Sequence, residues 1–217
     1  MPASRPLVLV ALEMEARALG ELGADVRIIG LRGALLASVE LGRPSCVIMA
    51  GLGGALGASL HVADVVIDDS GRLLGIEALK LSFASAGSIH TAAGPIGAPE
   101  QKAALYAETG AAAVDMESAI ARRAAESAGL AFIGIRAISD SAAQAIDPEI
   151  FSLLDDLGRP RMAAAAALVL RRPLLMGQLM QLRTDSQRAL GNLRLAVRAV
   201  LEQLNSSAAA GARPPDR

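Results

Sequence analysis

Three junctions in this chain place carboxylates directly after strand-length apolar runs. Glu13 and Glu15 follow residues 7–12, Asp115 and Glu117 follow residues 111–114, and Asp140 follows residues 131–138. An acid at the start of a helix has a plain structural use, because it accepts from first-turn amides and complements the helix dipole. Three such junctions in one chain suggest a second use. In open α/β sheets, ligands bind beyond the carboxyl ends of the strands, and parallel strands would bring these acids to one edge. Grouped carboxylates suit cleavage of a glycosidic bond. Its transition state resembles an oxocarbenium ion that anions stabilise, and a proton donor must neutralise the leaving group. A further carboxylate can orient and deprotonate an attacking water.

The elements that must hold these acids are legible as alternating apolar runs and helical stretches. Residues 7–12, 26–29, 46–50, 62–67, 79–84, 111–114 and 131–138 read as strands. Helices are expected over 13–22, from Gly33 to Val39, from Pro99 to about Glu108, and from Glu117 to Ala128, where Gly129 stops the chain. This alternation predicts α/β architecture with a largely parallel sheet. The glycine-rich stretch 51–54 reads as the turn closing the third strand. After Pro148 the pattern becomes all helical. Leu179, Leu182, Leu190, Leu193, Val197, Leu201 and Leu204 recur at helical spacing, which predicts one apolar stripe on a long helix. Residues 1–205 read as a single domain whose part from 148 to 205 is helical. The Ala, Gly and Pro-rich residues 206–217 read as a disordered tail.

Composition narrows the function classes. The chain has 217 residues and is 53% hydrophobic, yet it has three Phe, one Tyr and no Trp, so Ala, Leu, Val and Ile must build the core. A net charge of −1 gives no basis for binding nucleic acid. The single Cys46 precludes an intrachain disulfide, reads as a buried strand thiol, and fits a reducing cytoplasm. The apolar run after Arg5 is too short for a signal peptide, and no run reaches the roughly 18 residues of a membrane span. Residues 51–57 have the spacing Gly-x-Gly-x-x-x-Gly, which is not that of a dinucleotide loop. His61 and His90 lack ligand-spaced partners, so neither metal nor cofactor is expected.

Four blocks carry a family resemblance. Ala11-Leu12-Glu13-Met14-Glu15-Ala16, Ala50-Gly51-Leu52-Gly53-Gly54-Ala55-Leu56, Val114-Asp115-Met116-Glu117-Ser118-Ala119 and Ile135-Arg136-Ala137-Ile138-Ser139-Asp140 occur in the order seen in the purine nucleoside phosphorylase and methylthioadenosine nucleosidase superfamily, which the chain resembles over residues 7–142. The resemblance implies a three-layer nucleoside-phosphorylase-like fold: a central mixed, largely parallel sheet flanked by helices, with further helices at the C-terminus. It also implies roles. Glu15 corresponds to the acid that activates water, and Asp140 to the acid that protonates or hydrogen-bonds N7 of the departing purine. Glu117 corresponds to the ribose-binding acid, with Met116 packing on the sugar. Ser139 and Arg136 correspond to supporting residues, and Ile96 falls at the base-contacting loop. A homodimer is implied as well. For Arg136 a buried structural ion pair, and for Ser139 a strand-end cap, are the plainer readings.

The chain departs from the nucleosidases in a compressed region at residues 30–33 and in lacking an aromatic residue near Ile96. Both departures, and Ala98-Pro99-Glu100-Gln101-Lys102-Ala103-Ala104-Leu105, resemble the hopanoid-associated phosphorylase branch, which implies adenosylhopane as substrate and adenine as product. From Arg159 to Arg198 there are eight Arg and one acid, Asp185. A basic amphipathic helix of this kind can lie on the inner membrane face, or it can pack on the sheet with its arginines merely solvated. Phosphate is an open co-substrate: Gly30, Arg32 and Gly33 could form an anion site, whereas Glu15 favours water as nucleophile. A methylthioadenosine or adenosylhomocysteine nucleosidase and a non-catalytic nucleoside-binding protein are the alternatives.

Overall fold

The computed structural model describes residues 5–155, 159 and 161–211. Its centre is an eight-stranded sheet with the order β2-β1-β3-β8-β4-β5, and β7 joins the end of β3 and carries β6. The strands are β1 Leu7–Val10, β2 Asp25–Ile28, β3 Val47–Ala55, β4 Val65–Asp68, β5 Ala84–Ala86, β6 Ile89–Thr91, β7 Ala113–Asp115 and β8 Phe132–Asp140. Five strand pairings are parallel, while β3 with β7 and β4 with β8 are antiparallel. The sheet is therefore mixed and mostly parallel, as expected. β1 and the first part of β3 are covered on both faces, which is why they read as unbroken apolar runs rather than alternating ones.

Helices cover the two faces. On one side lie α1 Glu13–Leu19 and the long C-terminal helix α6 Leu175–Gly211. Leu193, Ala196, Val197 and Val200 of α6 pack there against Val8, Ile48 and Ile135. On the other side α3 Ser118–Ser127 presses Ala121 and Ala125 onto Leu9, Val47 and Met49. Small alanines let the helix approach a sheet that has almost no aromatic bulk to accommodate. Three further helices are α2 Pro99–Thr109, α4 Pro148–Phe151 and α5 Met162–Arg171. Cys46 precedes β3 with 2% exposure, and burial pushes its thiol up to about 11.

Several elements differ from the sequence reading. Residues 51–54 are not a turn but the second half of β3, which runs on to Ala55. The strand expected over 79–84 is instead a 3₁₀ turn, Ile76–Leu79, followed by β5 at Ala84–Ala86. Leu79 from the 3₁₀ turn and Leu81 and Phe83 from irregular chain still pack on the core, so burial alone demanded the apolar run. The expected helix to Val39 is two short 3₁₀ turns, Leu31–Gly33 and Leu36–Ser38. β6 carries no apolar run and was not expected. The expected tail begins later than residue 206: α6 continues through Gly211, because residues 208–210 are alanines, the strongest helix formers. Residues 212–217 lie outside the described residues.

Candidate active site

The acid-bearing ends meet, though not in the manner that parallel strands alone would provide. β1, β3 and β8 are parallel, so Glu15 and Asp140 leave the same sheet edge. β7 runs antiparallel to β3 and pairs only with its last residues, Gly54 with Val114 and Ala55 with Ala113. It enters from beyond that edge and points back, so Asp115, Met116 and Glu117 reach the same crevice from the opposite direction. Glu15, Glu117, Asp140, Met116, Ser139 and Ile96 all line one cavity of about 1470 Å³.

Glu15 sits in the first turn of α1 and is 2% exposed. One carboxylate oxygen accepts from the amides of Ala11 at 3.0 Å and Leu12 at 2.9 Å, and the other from Leu52 of β3 at 2.8 Å. The side chain thus caps its helix and also ties β1 to β3. Burial raises its pKa to about 7, against the opposing pull of Arg136 and the amide donors. Burial likewise raises Glu117, whose Oε1 accepts from the Arg32 amide at 2.9 Å. Near neutral pH Glu15 is therefore poised between its protonated and ionised forms.

Arg136 explains how these carboxylates coexist. It is 1% exposed and donates through Nε to Asp115 at 2.7 Å and again through Nη2. Burial alone would raise Asp115, but Arg136 and donors from Ser118 and Thr91 hold it below the ordinary range. Asp115, Glu117 and Glu15 in turn raise Arg136 against its own desolvation. One guanidinium therefore faces three carboxylates, leaving a buried cluster with a negative excess. Such a cluster favours positive charge developing beside it. Both acids at the end of β7 line the cavity, Asp115 held by the Arg136 guanidinium and Glu117 by backbone amides.

Asp140 has a partner that sequence reasoning assigned no role. Lys102 of α2 is wholly buried, and its Nζ donates to Asp140 Oδ2 at 2.5 Å, to the Ser141 carbonyl at 2.8 Å and to the Gln144 carbonyl at 3.1 Å. Ser139 Oγ donates to Asp140 Oδ1 at 2.7 Å. The carboxylate is thus gripped from both sides and its direction is set. A weak signal was available, since Lys102 is one of two lysines among 21 cationic residues and lies one helical turn from Leu105 on the packed side of α2.

Glycines of β3 make this density possible. A Cβ on Gly51 would lie 2.6 Å from Glu15 Oε1 and 3.0 Å from Arg136 Nη1, and one on Gly54 would lie 3.0 Å from Asp140 Oδ2. Gly30 and Gly33 have φ of 71° and 69° and shape the turn that presents the Arg32 amide to Glu117. That amide is taken up by a carboxylate, the Arg32 side chain is exposed, and none of Gly30, Arg32 and Gly33 lines the cavity. Among the described residues no cluster of three His, Cys, Asp or Glu side chains could hold a metal.

Beyond the acids the cavity turns apolar. Ile150 and Phe151 of α4, Leu153, Val169 of α5, and Leu179 and Leu182 of α6 enclose it. A family model described as the Phosphorylase superfamily matches residues 75–172. No curated protein sequence matches the chain. Solved structures do. A 5′-methylthioadenosine/S-adenosylhomocysteine nucleosidase from Helicobacter pylori, in complex with butyl-thio-DADMe-Immucillin-A, has a TM-score of 0.65 at 15% identity over 93% of this chain and 100% of that one. The nucleosidase of Colwellia psychrerythraea 34H in complex with adenine has 0.63 at 20% identity over 93% and 96%. The futalosine hydrolase of Helicobacter pylori strain 26695 has 0.62 at 16% identity over 92% and 98%. The chain thus shares its fold with these nucleosidases and carries, over residues 75–172, a match to the Phosphorylase superfamily.

Proposed function

We propose that this protein is an enzyme that cleaves the N-glycosidic bond of a 5′-substituted adenosine and releases adenine. The observation that carries the reading is the convergence of Glu15, Glu117 and Asp140 on one cavity, with a single buried Arg136 among the acids. The roles follow the family resemblance. Glu117 binds the ribose hydroxyls while Met116 packs on the sugar. Glu15 takes a proton from water as the oxygen attacks C1′ and the bond from C1′ to the purine nitrogen breaks. Asp140 delivers a proton to N7 as the electron pair of the broken bond passes into the purine, so that adenine leaves neutral, and Ser139 with Lys102 aims the carboxyl group. Ile96 contacts the base. Water is the nucleophile in this reading: Glu15 would repel phosphate, and the Arg32 amide is already engaged.

The size and lining of the cavity support a large apolar 5′ group. Ligand pockets for drug-sized molecules run to about 1,000 Å³, and this cavity as a whole, about 1470 Å³, exceeds that. Adenosylhopane, named by the resemblance to the hopanoid-associated branch, is the candidate substrate. A methylthioadenosine or adenosylhomocysteine nucleosidase is the second reading, favoured by the solved structures that share the fold. Adenine release from 5′-methylthioadenosine and from adenosines with long apolar 5′ groups, with and without phosphate, separates the two. Preference for the apolar series without a phosphate requirement is expected. Asp140→Asn and Glu117→Gln should each lower turnover by roughly 10²–10⁴-fold, with Glu117→Gln remaining folded and Asp140→Asn losing some stability as well because it leaves Lys102 unpaired, and wild-type turnover in both would end the assignment.

A further inference from the structure

The corner between α5 and α6 is both apolar and cationic. Among the described residues, six of the ten exposed large apolar side chains are Leu154, Met162, Leu170, Leu174, Met176 and Met180. Leu170 and Leu174 are 85% and 94% exposed, which in water gains nothing for a monomer. All but Leu174 also line the cavity, so the cavity opens through this patch. Arg161, Arg171, Arg172 and Arg183 stand exposed around it. Arg172 is paired with Asp147 and Glu149, whereas Arg171 and Arg183 have no ion pair among the described residues. From Arg159 to Arg188 the chain has one acid, Asp185, which is 8% exposed.

We propose that this corner docks on an anionic lipid surface. Leu170, Leu174 and Met162 enter the acyl boundary, the arginines meet headgroup phosphates, and the cavity mouth faces the apolar phase. No described helix is long and apolar enough to cross a membrane, so the contact is peripheral. A second copy of the chain fits the patch less well. A two-fold contact sets the same patch against itself, which would crowd the arginines of both copies and seal the mouth. An anionic surface neutralises those arginines and leaves the mouth open to an apolar group. The delivery of substrate from the lipid rests on the proposed function; the docking itself does not.

The test is co-sedimentation of the full chain with vesicles of phosphatidylcholine alone or mixed with phosphatidylglycerol. Wild-type protein is expected in the pellet with the mixed vesicles, and to be released by high salt. Leu174→Glu should weaken this binding by roughly tenfold or more, and Arg171→Gln by several-fold, at about 1 kcal/mol per basic side chain. Neither residue lines the cavity, so adenine release from soluble 5′-methylthioadenosine should be unchanged in both. Equal binding to both vesicle types, wild-type binding by Leu174→Glu, or a dimer that Leu174→Glu disrupts in light scattering would overturn the docking. Vesicle binding with no adenine release from any substrate would overturn the delivery step and the functional reading, but not the docking.

Discussion

Glu15 and Asp140 are both buried carboxylates at strand ends, yet their surroundings prepare them for different work. Glu15 is held by three amides and shares Arg136 with two other acids, and burial carries its pKa to about 7. If it takes the proton from water it must be ionised, so kcat/KM for adenine release should fall as pH drops through about 7, and Glu15→Gln should remove that limb of a pH profile. The stability consequence has the opposite sense. A folded pKa above the ordinary value of 4.5 means that ionisation works against folding. The contribution is fully present below that value and is lost as pH rises through about 7, which thermal unfolding from pH 4 to 8 would follow. Asp140 faces Lys102 instead. Removing one member of a buried pair leaves the other uncompensated, at a cost of about 3–5 kcal/mol. Lys102→Met should lower both stability and turnover, and adding Asp140→Asn should restore part of the stability but none of the turnover. Urea unfolding beside an adenine assay decides this.

At the scale of elements, β3 is the hinge of the site. It pairs with β8 through Gly54, with a register shift between Gly53 and Gly54, and its last two residues, Gly54 and Ala55, also pair with β7. Each glycine on this stretch faces something that has no room for a methyl group, and for Gly53 that neighbour is the carbonyl of Val114, 2.9 Å from an added Cβ. A backbone atom cannot rotate aside, so Gly53→Ala should cost about 1–3 kcal/mol and weaken nucleoside binding, measurable by denaturant unfolding and by KM. The same glycines explain a misreading. Gly51-Leu52-Gly53-Gly54 has turn composition, and nothing local distinguishes glycines that bend a chain from glycines that admit side chains from other strands. β6 was invisible for a related reason: Ile89-His90-Thr91 becomes a strand by pairing with β7, where Thr91 can donate to Asp115 at 2.8 Å.

Across the whole molecule α6 joins fold to site. Its rear half packs the sheet through Leu193, Val197 and Leu201, while Leu179 and Leu182 near its front roof the cavity. One apolar stripe therefore has two uses. Leu193→Ala, at 0% exposure, should cost about 2–5 kcal/mol in a cooperative unfolding transition. Leu182→Ala should cost less stability and mainly alter selectivity among 5′ groups, which a substrate panel would reveal.

By itself the sequence determined the strand runs, most helices, the stripe on α6 and the acid-bearing junctions, because apolar periodicity and helix-start chemistry act between residues close in the chain. Only the tertiary structure decided that β7 arrives antiparallel, that Lys102 grips Asp140 from 38 residues away, that Arg136 pairs with Asp115, and that the Arg32 amide serves Glu117. These are contacts between residues distant in sequence, made in a low-dielectric interior where a charge must find a partner. Which partner it finds depends on which elements the fold brings within reach.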